Sequence, residues 1–259
     1  MQQIPNIAEM TRSQNCVAVI PCHNEAAVIG SLVRAVRETV ENVIVIDDGS
    51  TDQTATEARS AGAKVITQSK RSGKGSSLLV GWTAARVAGF DWAITLDGDG
   101  QHSPRNIPAF LETAEATGAP LVIGNRMASP DSMPRLRQWI NRWLSRKISE
   151  LTGRDLPDTQ CGFRLVHLPT LAAVPLKARH FEIESEMIFQ FALHGREIGF
   201  VPIDVIYASE RSKIRPLTDT VRWWKWYLGA CRCAAAAKAA GQPFSAKSST
   251  RVPCSIQAR

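Results

Sequence analysis

The chain has 259 residues, of which 44% are hydrophobic, and it carries a formal net charge of +7. This length suits one α/β domain with an appendage or two small domains, and the apolar content can supply a large core. No run of 18 apolar residues and no basic-then-apolar leader pattern occurs. We therefore predict no transmembrane helix and no secretory signal, and we expect a cytoplasmic protein.

The positive charge is concentrated in two segments. Residues 134–154 contain six Lys or Arg against one acidic residue, and residues 203–259 contain ten against three. The rest of the chain is therefore net negative. This distribution suits an anionic surface or an anionic substrate that lies beside an acidic site.

The first 125 residues alternate short apolar strands with helices. Strands are predicted in CVAVIP, NVIVID, AKVITQ, DWAITLD and APLVIGNR, with helical patterns between them. Nearly continuous apolar strands that alternate with amphipathic helices are typical of parallel sheets covered by helices. We therefore predict an α/β fold with a mostly parallel, doubly wound sheet.

Beyond Arg126 this alternation stops. The segment 134–152 is predicted to form an amphipathic helix with one apolar face, made of Leu136, Ile140, Leu144 and Ile148. FEIESEMIFQFALHG indicates a helix, FVPIDVIYA a strand, and TVRWWKWYLGACRCAAAAKAA a helix rich in Trp and cations. The polar segment 242–259 is predicted to be a disordered tail.

Three predicted strands end in unusually polar sequences, PCHNE, DDGSTD and DGDGQH. Each could be a plain turn, because Asp, Asn and Gly are favoured in turns. However, ligands bind at the carboxyl ends of the strands of a parallel sheet, and these ends meet at one edge. Three such ends therefore favour one common binding site.

Asp97 and Asp99 lie one residue apart and repel each other unless a positive charge relieves the repulsion. Oxygen ligands of this kind select Mg²⁺ or Mn²⁺, which is usually shared with substrate phosphates. A calcium-binding EF-hand loop is excluded, because His102 and Pro108 occupy the positions that need Gly and Glu. SGKGSS lacks the first glycine of a phosphate-binding loop, and no dinucleotide-binding glycine pattern follows the first strand.

The ordered series PCHNE, DDGSTDQT, GKG, DGDGQH, GNR, DTQCGFR and FEIESE resembles the family 2 glycosyltransferases. The resemblance is to their dolichol-phosphate mannosyltransferase-like branch and covers roughly residues 16 to 213. It implies a nucleotide-sugar-binding, A-type glycosyltransferase fold. It also implies an inverting, metal-dependent transfer of a hexose from a UDP- or GDP-sugar to a polyprenyl phosphate.

The resemblance implies roles for individual residues. The nucleotide sugar would be bound by Pro21, His23, Glu25, Ile46, Asp48, Asp97, Gly98, Arg211 and Lys213. The divalent metal, Mg²⁺ or Mn²⁺, would be held by Asp97, Asp99 and Gln101. Arg126 would contact a phosphate of the acceptor or the donor, and the other two catalytic residues, Asp158 and Arg164, would lie beside the transferred sugar.

Three points stay open at this stage. Asp158 would be a base for a sugar hydroxyl acceptor, but an orienting group for a phosphate, which is already largely ionised at neutral pH. The alternating acids of FEIESE could contact sugar hydroxyls or form a solvated helix face. ERSKIRP lacks the glycine that the family pattern has between Arg211 and Ser212, so the loop over the diphosphate is expected to be shorter.

The expected organisation is an extension (1–15), a catalytic domain (16–216) that includes the helix 134–152, a C-terminal amphipathic helix (217–241) and the tail. Both helices combine Trp with Lys and Arg, a composition favoured at membrane interfaces. We therefore expect an anionic membrane surface as a partner and a peripheral location on its cytoplasmic face. The alternatives are helices that pack on the domain with their cations in water, and a partner protein. No nucleic acid is expected, because the cations lie beside an acidic pocket.

Two other functions fit the same residues. One is transfer to a non-lipid hydroxyl acceptor, against which strong membrane association would count. The other is a non-catalytic module that binds a nucleotide sugar, which metal-dependent turnover would exclude.

Overall fold

The computed structural model describes residues 15–130, 133–206 and 216–239. Its strands are β1 (Cys16–Cys22), β2 (Asn42–Asp47), β3 (Lys64–Thr67), β4 (Trp92–Thr95), β5 (Leu121–Asn125), β6 (Arg164–His167) and β7 (Ile198–Pro202). Its helices are α1 (Ala26–Arg37), α2 (Thr54–Ser60), α3 (Lys74–Val87), α4 (Ile107–Thr117), α5 (Arg135–Thr152), α6 (Leu168–Ala172), α7 (Ile183–Leu193) and α8 (Pro216–Ala239). Apart from Asn15, the predicted extension lies outside the described residues, as does the predicted tail 242–259.

The strands of the described residues form one sheet in the order β3-β2-β1-β4-β6-β5-β7. In the part β3-β2-β1-β4, each strand runs parallel to the strand next to it, and β5 is parallel to β7. The prediction of a mostly parallel α/β sheet is therefore confirmed. The sequence analysis missed β6, which lies antiparallel between β4 and β5. Four residues directly after a polar motif are too few to show a strand pattern.

The centre of the sheet is packed closely against α3. All seven residues of β1 are buried, and β2 is buried from Val43 onward. A Cβ atom at Gly81 of α3 would lie 2.4 Å from Val19 Cγ1 and 3.2 Å from Ile46 Cγ1. The glycine therefore allows the helix to approach both strands more closely than any other residue would.

Helix α5 forms as predicted, but only the C-terminal half of its expected apolar face packs on the domain. Leu136 is 70% exposed and Ile140 is 40% exposed, whereas Ile148 is buried and Leu144 packs against the core. The other buried positions are the polar residues Asn141, Ser145 and Thr152. Ser145 meets a polar turn, since its Oγ accepts a hydrogen bond from the backbone N–H of Thr159 at 2.9 Å.

Helix α8 also forms as predicted and is 24 residues long. Within the described part of the chain, no helix combines the length and the apolar character that are needed to cross a bilayer.

The close approach of α3 predicts opposite effects for two glycine substitutions. We expect Gly81→Ala to lower the free energy of unfolding by about 1–3 kcal/mol, because the new methyl group overpacks the sheet. Gly229 of α8 has no atom within 4 Å of an added Cβ. Gly229→Ala should therefore raise the stability by up to about 1 kcal/mol, the helix-propensity difference between the two residues. Urea unfolding followed by circular dichroism measures both, and a stabilising Gly81→Ala would contradict the packing.

Candidate active site

The polar ends of β1 and β2 lie side by side, as the parallel register requires. Pro21 pairs with Ile46, and the next residues along both strands also pair. His23 Nδ1 lies 3.0 Å from the backbone oxygen of Asp48. Glu25, which is buried, follows directly, and its backbone N–H donates to Thr54 Oγ1 at 2.8 Å. The structure therefore brings these five predicted nucleotide-binding residues to one edge, and their binding role stays a prediction.

The carboxylate of Asp48 organises the neighbouring GKG segment. Its Oδ1 accepts the N–H of Ser72 at 2.6 Å, and its Oδ2 accepts the N–H of Gly73 at 2.9 Å. Gly73 has a φ of +100°, and a Cβ atom there would lie 2.3 Å from His180 Nδ1. Asp48, which follows β2, thus binds the loop before α3 on one side, and His180 packs against the loop on the other. These contacts fix the position of Lys74 at the start of the helix.

Lys74 lies among the predicted site residues, and the sequence analysis assigned it no role. Its Nζ lies 2.5 Å from Asp97 Oδ1 and 2.5 Å from Glu184 Oε1. A Cβ atom at Gly162 would lie 2.7 Å from both Lys74 Nζ and Asp97 Oδ2. The glycine of DTQCGFR therefore leaves room for this ion pair against the backbone. The available signal was the lysine of GKG, whose partners are distant in sequence.

The charges at this edge compensate one another. Although burial by itself raises the pKa of Asp97, the charge of Lys74 lowers it to about 2. Burial opposes the charge on Lys74, but Asp97 and Glu184 raise the pKa of the lysine above its ordinary value. Burial lowers the pKa of the neighbouring His102 to about 4. At neutral pH the edge therefore holds an ionised Asp97, a charged Lys74 and a neutral imidazole.

The predicted metal ligands belong to the turn after β4. Asp99 Oδ1 accepts the backbone N–H of Gln101 at 3.0 Å. A Cβ atom at Gly98 would lie 2.7 Å from Cys22 Cβ, so the turn lies close against the end of β1. This proximity places Gly98 beside the residues predicted to bind the nucleotide.

The donor set of this turn fits a hard divalent cation. Across the three described ranges, no three His, Cys, Asp or Glu side chains gather into a preformed metal site. Mg²⁺ sites, however, commonly use one or two carboxylates and take their other ligands from substrate phosphates and water. Asp97, Asp99 and Gln101 offer oxygen atoms for a site of that kind, completed by a bound ligand.

Arg126 and Asp158 form a bidentate ion pair. Arg126 Nε donates to Asp158 Oδ2 at 2.7 Å, and Nη2 donates to Oδ1 at 2.9 Å. Each carboxylate oxygen accepts one more bond, from the backbone N–H groups of Arg126 and Gln160. Asp158 is fully buried. The Arg126 side chain is 13% exposed, and its Nη1 makes no hydrogen bond to any described residue.

Arg164 has a structural role, and its place beside the transferred sugar stays a prediction. Its guanidinium is buried and donates to three backbone carbonyls. These are the carbonyls of Cys161 at 2.7 Å, Glu184 at 2.7 Å and Thr159 at 3.0 Å. Backbone oxygens inside a turn need such donors, since unpaired buried carbonyls are costly. Arg164 therefore joins the 159–161 turn to α7.

The alternating acids of FEIESE do not form a solvated helix face, because Glu184 and Glu186 are both buried. Glu184 bonds Lys74, and Glu186 Oε2 accepts the N–H groups of Lys177 and Ala178 at 2.9 and 2.8 Å. Each of these two acids therefore has a structural partner.

Arg211 and Lys213 lie outside the described residues. The described chain before them is bonded to the turn after β4, since the N–H of Ile206 donates to the carbonyl of Gln101 at 3.0 Å. Val205 also pairs with His102 in an antiparallel bridge. Residue 206 is thus anchored at the edge where the predicted ligands lie.

The shared ammonium predicts a coupled stability effect. Lys74→Met should lower the free energy of unfolding by about 3–5 kcal/mol, because it leaves buried Glu184 and partly buried Asp97 without their cation. The double variant Lys74→Met with Glu184→Gln should recover part of the loss. Exposed Lys64, changed to Met, is the control. Urea unfolding measures all of them, and a Lys74→Met protein as stable as the Lys64→Met protein would contradict the bridge.

Known structures share this architecture. Glucosyl-3-phosphoglycerate synthase from Mycobacterium tuberculosis, solved with UDP, superimposes with a TM-score of 0.71 at 21% identity, over 89% of this chain and 86% of that one. The same enzyme with Mn²⁺, UDP-glucose and phosphoglyceric acid gives a TM-score of 0.70 at 21% identity, with the same coverage. At this identity the likeness shows the fold.

Curated relatives are closer in sequence. Glycosyltransferase AglJ of Haloferax volcanii is 35% identical over 190 residues, which are 70% of this chain and 60% of that protein. Undecaprenyl-phosphate mannosyltransferase of Micrococcus luteus is 29% identical over 203 residues, 73% of this chain and 83% of that protein. A UDP-N-acetylglucosamine–dolichyl-phosphate N-acetylglucosaminyltransferase of Methanococcus voltae is 28% identical over 214 residues, 74% and 85% of the two chains.

The family model agrees with these relatives and with the motifs. Residues 17–171, which run from β1 to α6, match the model described as Glycosyl transferase family 2. This range includes the Lys74–Asp97 pair, the turn after β4 and the Arg126–Asp158 pair. With more than half of its length matched, the chain belongs to glycosyl transferase family 2 and is a family 2 glycosyltransferase.

Proposed function

We propose that the protein is an inverting, metal-dependent glycosyltransferase that moves a hexose from a UDP- or GDP-sugar to a polyprenyl phosphate. The observation that carries this proposal is the Arg126–Asp158 pair, which presents a fixed guanidinium with one nitrogen available. Relatives named for undecaprenyl-phosphate and dolichyl-phosphate transfer support the choice of a lipid phosphate acceptor.

The bonds of Asp158 favour a phosphate acceptor over a hydroxyl. A hydroxyl acceptor needs a base within hydrogen-bond reach. Asp158 is fully buried, and both of its oxygens already accept two bonds. A phosphate monoester is largely ionised at neutral pH and needs no strong base. Asp158 then acts as an orienting group that holds Arg126 toward the acceptor phosphate.

The reaction needs two anionic reactants to be held together. Arg126 Nη1 would donate to a phosphate oxygen, which reduces the repulsion between acceptor and donor. An acceptor oxygen would form a bond to the anomeric carbon from the face opposite the leaving diphosphate, whose bond to that carbon breaks. When bound at Asp97, Asp99 and Gln101, a divalent cation neutralises charge on the leaving diphosphate. Lys74 keeps Asp97 ionised and in place for that ligand.

An apolar surface on α5 and α8 supports contact with a membrane. Nine large hydrophobic side chains are exposed among the described residues, and six of them belong to these two helices. They are Leu136, Trp139, Ile140, Val221, Trp224 and Leu228. The rings of Trp143 and Trp224 lie 5.6 Å apart, which joins the two helices at this surface.

The same helices expose cations beside these apolar side chains. The exposed cations include Arg135 and Arg142 on α5 and Lys225 and Arg232 on α8, while exposed Arg146 and Arg222 pair with Glu150 and Asp219 of their own helices. Each cation near an anionic surface contributes about 1 kcal/mol. We therefore propose that the two helices lie on an anionic bilayer, with the enzyme peripheral on its cytoplasmic face.

The transfer reaction is tested with purified protein, Mn²⁺ or Mg²⁺ and a panel of UDP- and GDP-sugars, with and without a short polyprenyl phosphate. We expect nucleoside diphosphate release only when the lipid phosphate is present. Arg126→Lys should lower kcat by about 100-fold, the usual effect of losing a positioned donor to a developing charge. Exposed Arg105, changed to Lys, should have no effect.

Other outcomes of this assay favour other functions. Release without the lipid indicates a different acceptor. No release from a folded protein that still binds nucleotide indicates a binding module without catalytic activity.

The membrane surface is tested by charge insertion. Trp139→Glu and Leu228→Glu should each weaken binding to phosphatidylglycerol vesicles about tenfold or more, since burying such a side chain contributes about 1.5–3 kcal/mol. Val87→Glu adds the same charge at an exposed residue of α3 and should leave binding unchanged. Co-sedimentation measures the partition. Equal binding by all three variants would contradict the surface and favour a partner protein.

A further inference from the structure

Trp223 and Trp224 are adjacent in α8 but face different surroundings. Trp224 is 39% exposed, whereas Trp223 is 7% exposed. The Trp223 ring stacks on Tyr227 with centroids 5.0 Å apart and lies 5.8 Å from Trp143 of α5. Its indole Nε1 donates to Ser185 Oγ of α7 at 3.0 Å. One turn of α8 therefore touches both the exposed surface and the domain interior.

Ser185 continues this contact toward the Arg126–Asp158 pair. Its Oγ also accepts a hydrogen bond from Gln160 Nε2 at 3.1 Å, and the backbone N–H of Gln160 donates to Asp158 Oδ1 at 3.1 Å. A hydroxyl oxygen has two acceptor lone pairs, and Ser185 uses both. Hydrogen bonds through Ser185 and through the side chain and backbone of Gln160 thus connect Trp223 to the carboxylate that holds Arg126.

The path lies in the interior, where its bonds are costly to lose. Ser185 and Asp158 are fully buried, so water does not compete for their bonds. An indole N–H can only donate, and Ser185 is its acceptor among the described residues. Loss of the Ser185 hydroxyl leaves the buried Trp223 N–H unpaired, which is costly, whereas Gln160 Nε2 keeps a second bond to Thr159 Oγ1 at 2.8 Å.

We propose that Trp223 is a positioning residue of the transfer reaction. Through Ser185 and Gln160 it holds the turn that carries Asp158, so the C-terminal helix contributes to the position of Asp158 in the active site. Ser185 and Trp223 both lie beyond residues 17–171, the range that matches the family model. The inference rests on the proposed function in one respect, because it takes the Arg126–Asp158 pair as the acceptor site.

The size of the effect is limited by other bonds to the same turn. Ser145 of α5 bonds Thr159 at its backbone N–H, and Arg164 bonds the Thr159 carbonyl. Trp223 therefore adjusts a turn that is already attached, and it acts mainly on the orientation of Gln160 and Asp158. We expect a change in rate of about fivefold, the size that corresponds to one net hydrogen bond.

The first test compares three variants of the full chain in the transfer assay. Trp223→Phe keeps a ring but removes the N–H, and Ser185→Ala removes the acceptor. Each should lower kcat about fivefold, and the double variant should be no slower than either, because both remove the same path. Trp226→Phe is the matched control: Trp226 of α8 packs on Phe189 of α7 and on the Trp223 ring, but its indole N–H makes no hydrogen bond to a described residue.

The second test needs no substrate. Hydrogen–deuterium exchange of peptides that cover residues 158–161 should be faster in Trp223→Phe and Ser185→Ala than in the parent protein. In Trp226→Phe it should be unchanged. Equal changes in the Trp223 and Trp226 variants, or exchange unaltered in all of them, would overturn the inference. Additive losses of kcat in the double variant would overturn it too.

The two tests separate this inference from the proposed function. A parent protein that fails to transfer sugar to polyprenyl phosphate, but shows the expected exchange pattern, would contradict the acceptor while supporting the path. A parent protein that transfers sugar normally, with a Trp223→Phe variant equal to it, would contradict the path alone.

Discussion

A single ammonium group shared by two carboxylates supports the arrangement of the active site. Lys74 lies between Asp97 and Glu184, and it joins α3, the turn after β4 and the first turn of α7. Two acids at this distance from one cation would otherwise repel each other. The charge of Lys74 keeps the pKa of Asp97 low, so this carboxylate is ionised at neutral pH. Other features of the site are arranged around this contact.

Different sequence motifs stabilise different parts of that arrangement. Asp48 fixes the loop before Lys74 through two backbone N–H groups, and Gly162 leaves space for the ion pair. Arg164 supports the 159–161 turn through its backbone carbonyls. Several motif residues therefore hold other predicted site residues in place through their hydrogen bonds and close packing.

The two helices outside the sheet contribute in a similar way. The inward side of α5 combines Ile148 with polar residues that meet the turn beside Asp158, and Leu136 and Trp139 are exposed. Helix α8 packs on the domain through aromatic rings and exposes a second set of apolar side chains. The proposed surface for lipid and the proposed support for the acceptor site are thus parts of the same two helices.

The sequence by itself determined the mostly parallel α/β fold, the positions of the long helices and the family, because alternating apolar strands and ordered motifs are local signals. It did not determine β6, a strand of four residues whose pairing with β4 and β5 depends on distant segments. Only the tertiary structure decided the buried face of α5, the place of Arg164 and the partners of Lys74. These depend on contacts such as that of Lys74 with Glu184, between residues 110 positions apart, which no local pattern records.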